Sequence, residues 1–294
     1  MMASTIKYYI HLLQQENYKS FYLAFLRVAV SCWLLKEVCI NWQSMDLLYG
    51  DAVFVVAKNN LLNRLPGGQA WVSDHYIWFI VLYMLIIFLN ILGIGRWFTA
   101  LLLFLFVYVL QQMNRSFLNG GDIMARLVLL YMVFANSYQY FVLVRQKKID
   151  DDQQRFNNLL SNMAALSIML QLCVAYFGLG LAKLNSELWR NGEATYYALQ
   201  MERFIGTPVN RYIVQYKWID IASNYAVLLF ELSFPLLIWV KKLRKPLLIS
   251  GLLFHCCIYI FLMIYGFQVV FILIYGLFLP NNMWLKFYRG IIKN

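Results

Sequence analysis

A lysine at the end of an apolar helix is the most suggestive chemical group in this chain. Tyr176, Gly180 and Lys183 fall along one stripe of a helix, with Lys183 closing it at the expected outer membrane boundary. Partial desolvation disfavours a charged amine, and a general base must be uncharged. The competing reading is an ammonium that snorkels to water. Trp189 follows Lys183 closely. A second pair lies deeper. Glu231 and His255 each sit about nine residues from the ends of their apolar runs, or roughly 13 Å by helix rise. Neither can snorkel, and a charge at that depth is costly. They fall at similar depth on neighbouring runs, so a Glu–His contact is geometrically easy. It would be a structural hydrogen bond, or a proton relay or polar handle for a quinone. A third concentration is Asn119-Gly120-Gly121-Asp122 followed by Arg126. Asp122 and Arg126 share a helical face at i and i+4, and Asp122 suits a helix N-terminus. A cap alone would explain it.

These groups need elements to hold them, and the elements are membrane helices. The 294-residue chain is 62% hydrophobic and 13% charged, with a mean hydropathy of +0.60. One water-soluble core cannot hide so much apolar side chain. A spanning helix needs roughly 20 mostly apolar residues. The expectation is an all-α, polytopic transmembrane bundle of about eight spans. They run from Phe21 to Ile40, Tyr76 to Gly95, Trp97 to Met113, Ile123 to Val144, Leu160 to Lys183, Ile221 to Val240, Leu247 to Tyr265 and Phe267 to Leu279. Tight hairpins are expected at Gly95-Arg96 and at Gly266. No signal-peptide cleavage site follows the first run, which is read as a retained span. The chain reads as a single domain, 1–294.

Lys and Arg set the orientation. The clusters Arg145-Gln146-Lys147-Lys148 and Lys241-Lys242-Leu243-Arg244-Lys245 mark a cytoplasmic face. With eight spans both termini are then cytoplasmic. The two longest loops, 41–75 and 184–220, lie outside, where they could form a lid. The first carries an apolar patch at Ala52–Ala57 and a turn at Pro66-Gly67-Gly68. The second carries a candidate interfacial helix at Glu193–Phe204, with Tyr196, Leu199 and Phe204 on one face. The net charge of +11 is spread over these loops, which argues against nucleic acid as a partner. The acidic run Asp150–Asp152 reads as a solvated connector. All five cysteines fall in apolar runs, as buried thiols rather than a disulfide framework, and no metal site is suggested. Arg27, Lys36 and Glu37 lie within the first span. Lys36 and Glu37 are within reach of its outer end, and Arg27 is open between a structural and a functional role.

Four local patterns carry a family resemblance. They are Leu92-Gly93-Ile94-Gly95-Arg96; Asn119-Gly120-Gly121-Asp122 with Arg126; Tyr176-Phe177-x-x-Gly180-x-x-Lys183-Leu184 with Trp189 and Gly192; and Glu231 with Phe254-His255-Cys256 and Phe267. Together they resemble the horizontally transferred transmembrane (HTTM) domain family, which looks like the membrane part of vitamin K-dependent gamma-carboxylase. The resemblance implies that Lys183 is the base activating a hydroquinone, here menaquinone-like. It also implies an active site facing away from the cytoplasm of a bacterial inner membrane. The sequence departs from the carboxylase in having Gly121-Asp122 where that enzyme has a histidine, and in ending soon after its last span. Maturation of a secreted peptide or protein, with a partner subunit, is the nearer analogy.

Two readings follow. In the first the chain is a carboxylase/epoxidase-like enzyme in the lipid bilayer. Lys183, Asp122 and His255 would be catalytic. Asn119, Arg126, Tyr176, Gly180, Trp189 and Glu231 would bind substrate or cofactor. In the second it is a non-catalytic membrane subunit that scaffolds or exports a secreted peptide.

Overall fold

The computed structural model describes residues 2–50, 68–144, 149–264 and 266–292. Every regular element among them is helical. In chain order these are α1 (Met2–Gln15), α2 (Ser20–Ile40), α3 (Met45–Tyr49), α4 (Gly68–Asp74), α5 (Tyr76–Leu92), α6 (Trp97–Met113), α7 (Gly120–Met132), α8 (Asp151–Leu184), α9 (Glu187–Arg190), α10 (Ala194–Gln200), α11 (Asn210–Ile213), α12 (Lys217–Leu237), α13 (Lys241–Leu262), α14 (Phe267–Tyr275) and α15 (Asn281–Ile292). The chain divides into two compact units, Met1–Ser167 with Leu279–Asn294, and Ile168–Phe278. The Ala52–Ala57 patch, Pro66 and Gly67 of the expected turn, the basic run 145–148 and Tyr265 lie outside the described residues.

The expected eight spans are not all present. Among the described residues three helices, α8, α12 and α13, are long and apolar enough to cross a membrane. A fourth candidate is the bent pair Phe267–Phe278 and Asn281–Ile291, which turns by 106°. The reasons differ from run to run. α2 has 21 residues, but every 18-residue stretch of it carries Arg27, Lys36 and Glu37. α5 and α6 are apolar and have 17 residues each, about 26 Å by helix rise against a core of about 30 Å. The expected span from Ile123 to Val144 breaks after Met132. The apolar run from Phe267 continues only to Phe278 and then turns sharply.

In the first unit, polar side chains close the helix ends. Asn158 and Asn162 on α8 donate to the carbonyls of Leu13, Gln14, Gln15 and Glu16 at the end of α1, at 2.8–3.2 Å. Asn281 Oδ1 accepts from the amides of Phe21 and Tyr22 at the start of α2. Such groups would otherwise be unsatisfied. Asp150 accepts from the Gln153 amide, and Asp151 and Asp152 fill the first turn of α8. The acidic run is therefore a helix start rather than a plain connector. α5 stops at Gly93, whose φ of 70° is left-handed, and Ile94 N–H bonds back to the Leu89 carbonyl. A Cβ at Gly93 would meet Val142 Cγ1 at 2.6 Å. The Gly95-Arg96 hairpin is tight, as expected.

Arg27 explains the break after α7. Its buried guanidinium donates to the carbonyls of Asn90, Ile91, Ser137, Tyr140 and Phe141. Buried carbonyls outside regular helix need donors from elsewhere in the protein, and one arginine supplies five. Its role is structural. Ser161 and Asn17 complete the site by bonding the Asn136 amide and carbonyl.

In the second unit, α12 and α13 form a hairpin whose outward faces are apolar. Leu229 and Leu236 are 71% and 73% exposed, as a lipid-facing surface requires. Asp220, Asn224, Leu228, Glu231 and Phe234 are the buried stripe of α12. The expected helix in 184–220 exists as α10. It packs against α12 and α13 with Leu199 buried and Tyr196 exposed. Of the five free cysteines only Cys173 is buried. The others sit on outward faces of α2 and α13.

Candidate functional site

Within the second unit, α8 brings three groups to α12, α13 and α14. Gly180 allows the approach. A Cβ there would lie 2.8 Å from Leu232 Cδ2 and 3.4 Å from Glu231 Cβ. Gly178, the other glycine of the run, faces open space. With α8 so close to α12, Lys183 Nζ reaches both carboxylate oxygens of Glu231, at 2.5 and 2.6 Å. The Glu231 side chain is 2% exposed and that of Lys183 20%. The carboxylate is sealed and the amine is its opening to the surroundings. Lys183 Nζ also lies 5.1 Å from the centroid of the Trp189 ring, a cation–π distance.

The snorkelling expectation for Lys183 is thereby replaced. Its ammonium turns inward, to a carboxylate 14 residues into α12. Pro235 adds a detail. Proline has no N–H to give to the carbonyl four residues earlier, and that carbonyl belongs to Glu231.

Two turns back along α8, the Tyr176 hydroxyl lies 2.7 Å from His255 Nε2 and 2.6 Å from the Tyr275 hydroxyl. All three residues are buried. His255 Nδ1 has no partner. Phe267 and Phe271 ring the imidazole. The expected Glu231–His255 contact is thus replaced by two separate ones: Glu231 pairs with Lys183, and His255 with Tyr176.

Sequence reasoning missed Tyr275, Asp220 and Asn224. Asp220 is buried with both carboxylate oxygens unpartnered, and Asn224 Oδ1 is also unpartnered. They precede Glu231 on the same buried stripe. The signal was present in the i, i+4, i+11 spacing, but Asp220 reads as a loop end in the sequence. The backbone at Trp189 is tied to this stripe. Asn224 donates to the Trp189 carbonyl at 2.8 Å, and the Tyr225 hydroxyl to that of Arg190 at 2.7 Å.

Asn119, Asp122 and Arg126 belong to the first unit. Asn119 and Asp122 form a reciprocal capping box on α7. Asn119 Oδ1 accepts from the amides of Gly121 and Asp122, and Asp122 Oδ2 accepts from the Asn119 amide at 2.9 Å. Arg126 lies over the Tyr108 ring at 5.7 Å rather than on Asp122. Both carboxylate and guanidinium have local structural partners.

The arrangement in the second unit can move a proton. An ammonium and a carboxylate within 2.6 Å share one proton more than an amine and a carboxylate would. Transfer from Lys183 to Glu231 leaves a neutral amine beside a neutral acid, with no net charge moved. The chain matches no protein-family model, no curated protein and no solved structure.

Proposed function

We propose that this is an integral membrane enzyme in which the Lys183–Glu231 pair takes a proton from a weakly acidic, lipid-soluble substrate, a menaquinone-like hydroquinone. The observation that carries the reading is the bidentate pair with one sealed and one accessible partner. Lys183 passes its proton to Glu231. The resulting amine takes the proton of a hydroquinone hydroxyl. The products are a protonated Glu231 and a hydroquinone anion facing the Lys183 ammonium. That pairing stabilises the anion where it forms. Trp189 offers the ammonium a π face while the substrate is absent. Tyr176, His255 and Tyr275 lock α8, α13 and α14 so that the pair keeps its geometry.

The resemblance to the HTTM family supports the same reading. It points to oxygen-dependent chemistry on the hydroquinone anion, in the service of modifying a secreted peptide or protein. The chain would sit in a bacterial inner membrane, with Lys241–Lys245 in the cytoplasm and the segment 184–216 outside. Asn119, Asp122 and Arg126 do not enter this mechanism.

The test uses purified protein with a short-chain menaquinol in air. Quinone and epoxide products are measured by mass spectrometry. Wild type is expected to give product, and Lys183→Ala and Glu231→Gln to lose at least a hundredfold, the usual worth of a positioned acid–base group. Equal turnover in all three sinks the reading. A second reading has one specific support. The same pair, with Gly180, fastens α8 to α12, as a purely structural clamp in a membrane subunit would. Folded but product-free wild type favours it.

A further inference from the structure

α15 has 12 residues, about 18 Å by helix rise against a hydrocarbon core of about 30 Å. It cannot cross a bilayer by itself. It has three distinct sides. Asn281, Trp284 and Tyr288 pack on the first unit. Asn281 Oδ1 accepts from the Phe21 and Tyr22 amides. The Trp284 ring centroid lies 4.8 Å from that of Tyr22, and that of Tyr288 lies 5.1 Å from Phe21 and 5.7 Å from Phe141. Phe287 and Ile291, one turn apart, form the second side and are 67% and 60% exposed. Lys286 and Arg289 form the third, also exposed. Among the described residues no carboxylate pairs with either cation, and α15 contains no acidic residue.

The packed side also fixes the direction of the helix. From Asn281 to Tyr288 α15 advances about 10 Å. The α2 groups that these side chains meet are Ser20, Phe21 and Tyr22, within a single turn. A helix lying alongside α2 would meet groups up to two turns further on. α15 therefore crosses the start of α2. α2 packs on α5, whose outward row Val81, Leu85 and Phe88 is exposed and apolar. That row belongs among acyl chains, and α15 lies across the end of the wall it forms.

α1 repeats the pattern where it leads into α2. Ile6, Tyr9 and Ile10 are exposed on one side of it, and Lys7, His11 and Gln14 take the other. It too contains no acidic residue. An apolar side with a basic edge is the pattern of a helix lying in a membrane interface. The sign of the edge selects the lipid, because basic residues near the surface are drawn to anionic headgroups. A second copy of the chain covering this face would bring its own cationic edge with it, so charge favours the lipid.

We propose that α15 lies flat in the bilayer interface and docks on anionic phospholipid. Phe287 and Ile291 enter the acyl region, and Lys286 and Arg289 donate to the lipid phosphates. α1 rests in the same leaflet, on the other side of the chain's entry into α2.

Two measurements on the full chain test this. For depth, the protein without its five native cysteines is placed in nanodiscs of equal parts phosphatidylcholine and phosphatidylglycerol. Spin labels at Asn282→Cys and Phe287→Cys report collisions with oxygen, which partitions into lipid, and with a water-soluble nickel chelate. The label at 287 is expected to meet oxygen and the label at 282 the chelate. For selectivity, phosphatidylglycerol or phosphatidylcholine is titrated into delipidated protein in detergent, and bound lipid is counted by native mass spectrometry. The tightest phosphatidylglycerol is expected to bind more strongly than phosphatidylcholine. Lys286→Gln and Arg289→Gln should each weaken it by about fivefold, the worth of one basic residue at an anionic surface. Lys286→Arg, which keeps the charge, should retain the preference. Both positions lie off the packed side, so the variants keep the contacts that hold α15. A water-exposed label at 287, equal affinity for the two lipids, or an unchanged preference when both charges are removed overturns the proposal. So does spin–spin coupling between labels at 287 on two copies, which would mean that a second chain covers the face. Neither measurement reads hydroquinone turnover, so absence of that chemistry leaves this result standing.

Discussion

At the scale of single residues, the Lys183–Glu231 pair decides most. Removing one partner strands the other. Glu231→Gln and Lys183→Met should each destabilise the protein, and the double variant less than their sum. A coupling of about 2 kcal/mol is expected for a contacting, part-buried pair, measured by thermal unfolding in detergent. Additive losses would mean that the pair contributes nothing as a pair. Lys183→Arg keeps the charge but not the exchangeable amine. It should preserve most stability and lose turnover, which separates the chemical from the structural role. Tyr176 makes a second prediction. Tyr176→Phe leaves His255 Nε2 and the Tyr275 hydroxyl buried beside a benzene ring. A loss of about 1–3 kcal/mol is expected, with turnover reduced only as far as the fold loosens.

At the scale of elements, two junctions matter. Gly180 sets the distance between α8 and α12, because its missing Cβ leaves room for Leu232. Gly180→Val should push the helices apart and break the ion pair without touching either charged residue. Turnover and the Lys183–Glu231 coupling should fall together. If turnover falls while the coupling survives, the glycine acts otherwise. Arg27 is the other junction. It satisfies five backbone carbonyls where α5 ends and where the chain leaves α7. Arg27→Leu should cost at least about 3 kcal/mol, since several buried acceptors lose their donor together. Failure of the variant to accumulate in membranes, with partial rescue by Arg27→Lys, is the expected readout. Normal accumulation of Arg27→Leu would contradict the structural role.

At the scale of the whole molecule, the number of crossings governs which groups face which side. With α8, α12 and α13 as spans, the α12–α13 turn and the segment 184–216 fall on opposite faces. Cysteine labelling in a background lacking the native five checks this. Ser186→Cys should react with an impermeant maleimide from outside, and Lys242→Cys only after the membrane is opened. Labelling of both from one side would remove α12 as a span.

The sequence by itself determined the all-α class and the apolar runs, because lipid leaves a helix few alternatives to satisfying its own backbone. It also placed Asp122 at a helix N-terminus and a tight hairpin at Gly95-Arg96, since both are local preferences, while the reciprocal box that Asn119 makes with Asp122 came only with the structure. It singled out Lys183, Glu231, His255 and Tyr176 as costly or well-spaced groups. Only the tertiary structure decided their partners. Lys183 and Glu231 are 48 residues apart, and Tyr176 and His255 are 79. Periodicity places a side chain on a face and says nothing of which helix that face meets. The span count failed for a related reason. The composition of 123–144 is apolar enough, but Arg27, about a hundred residues earlier, holds carbonyls that a continuous helix would have kept for itself.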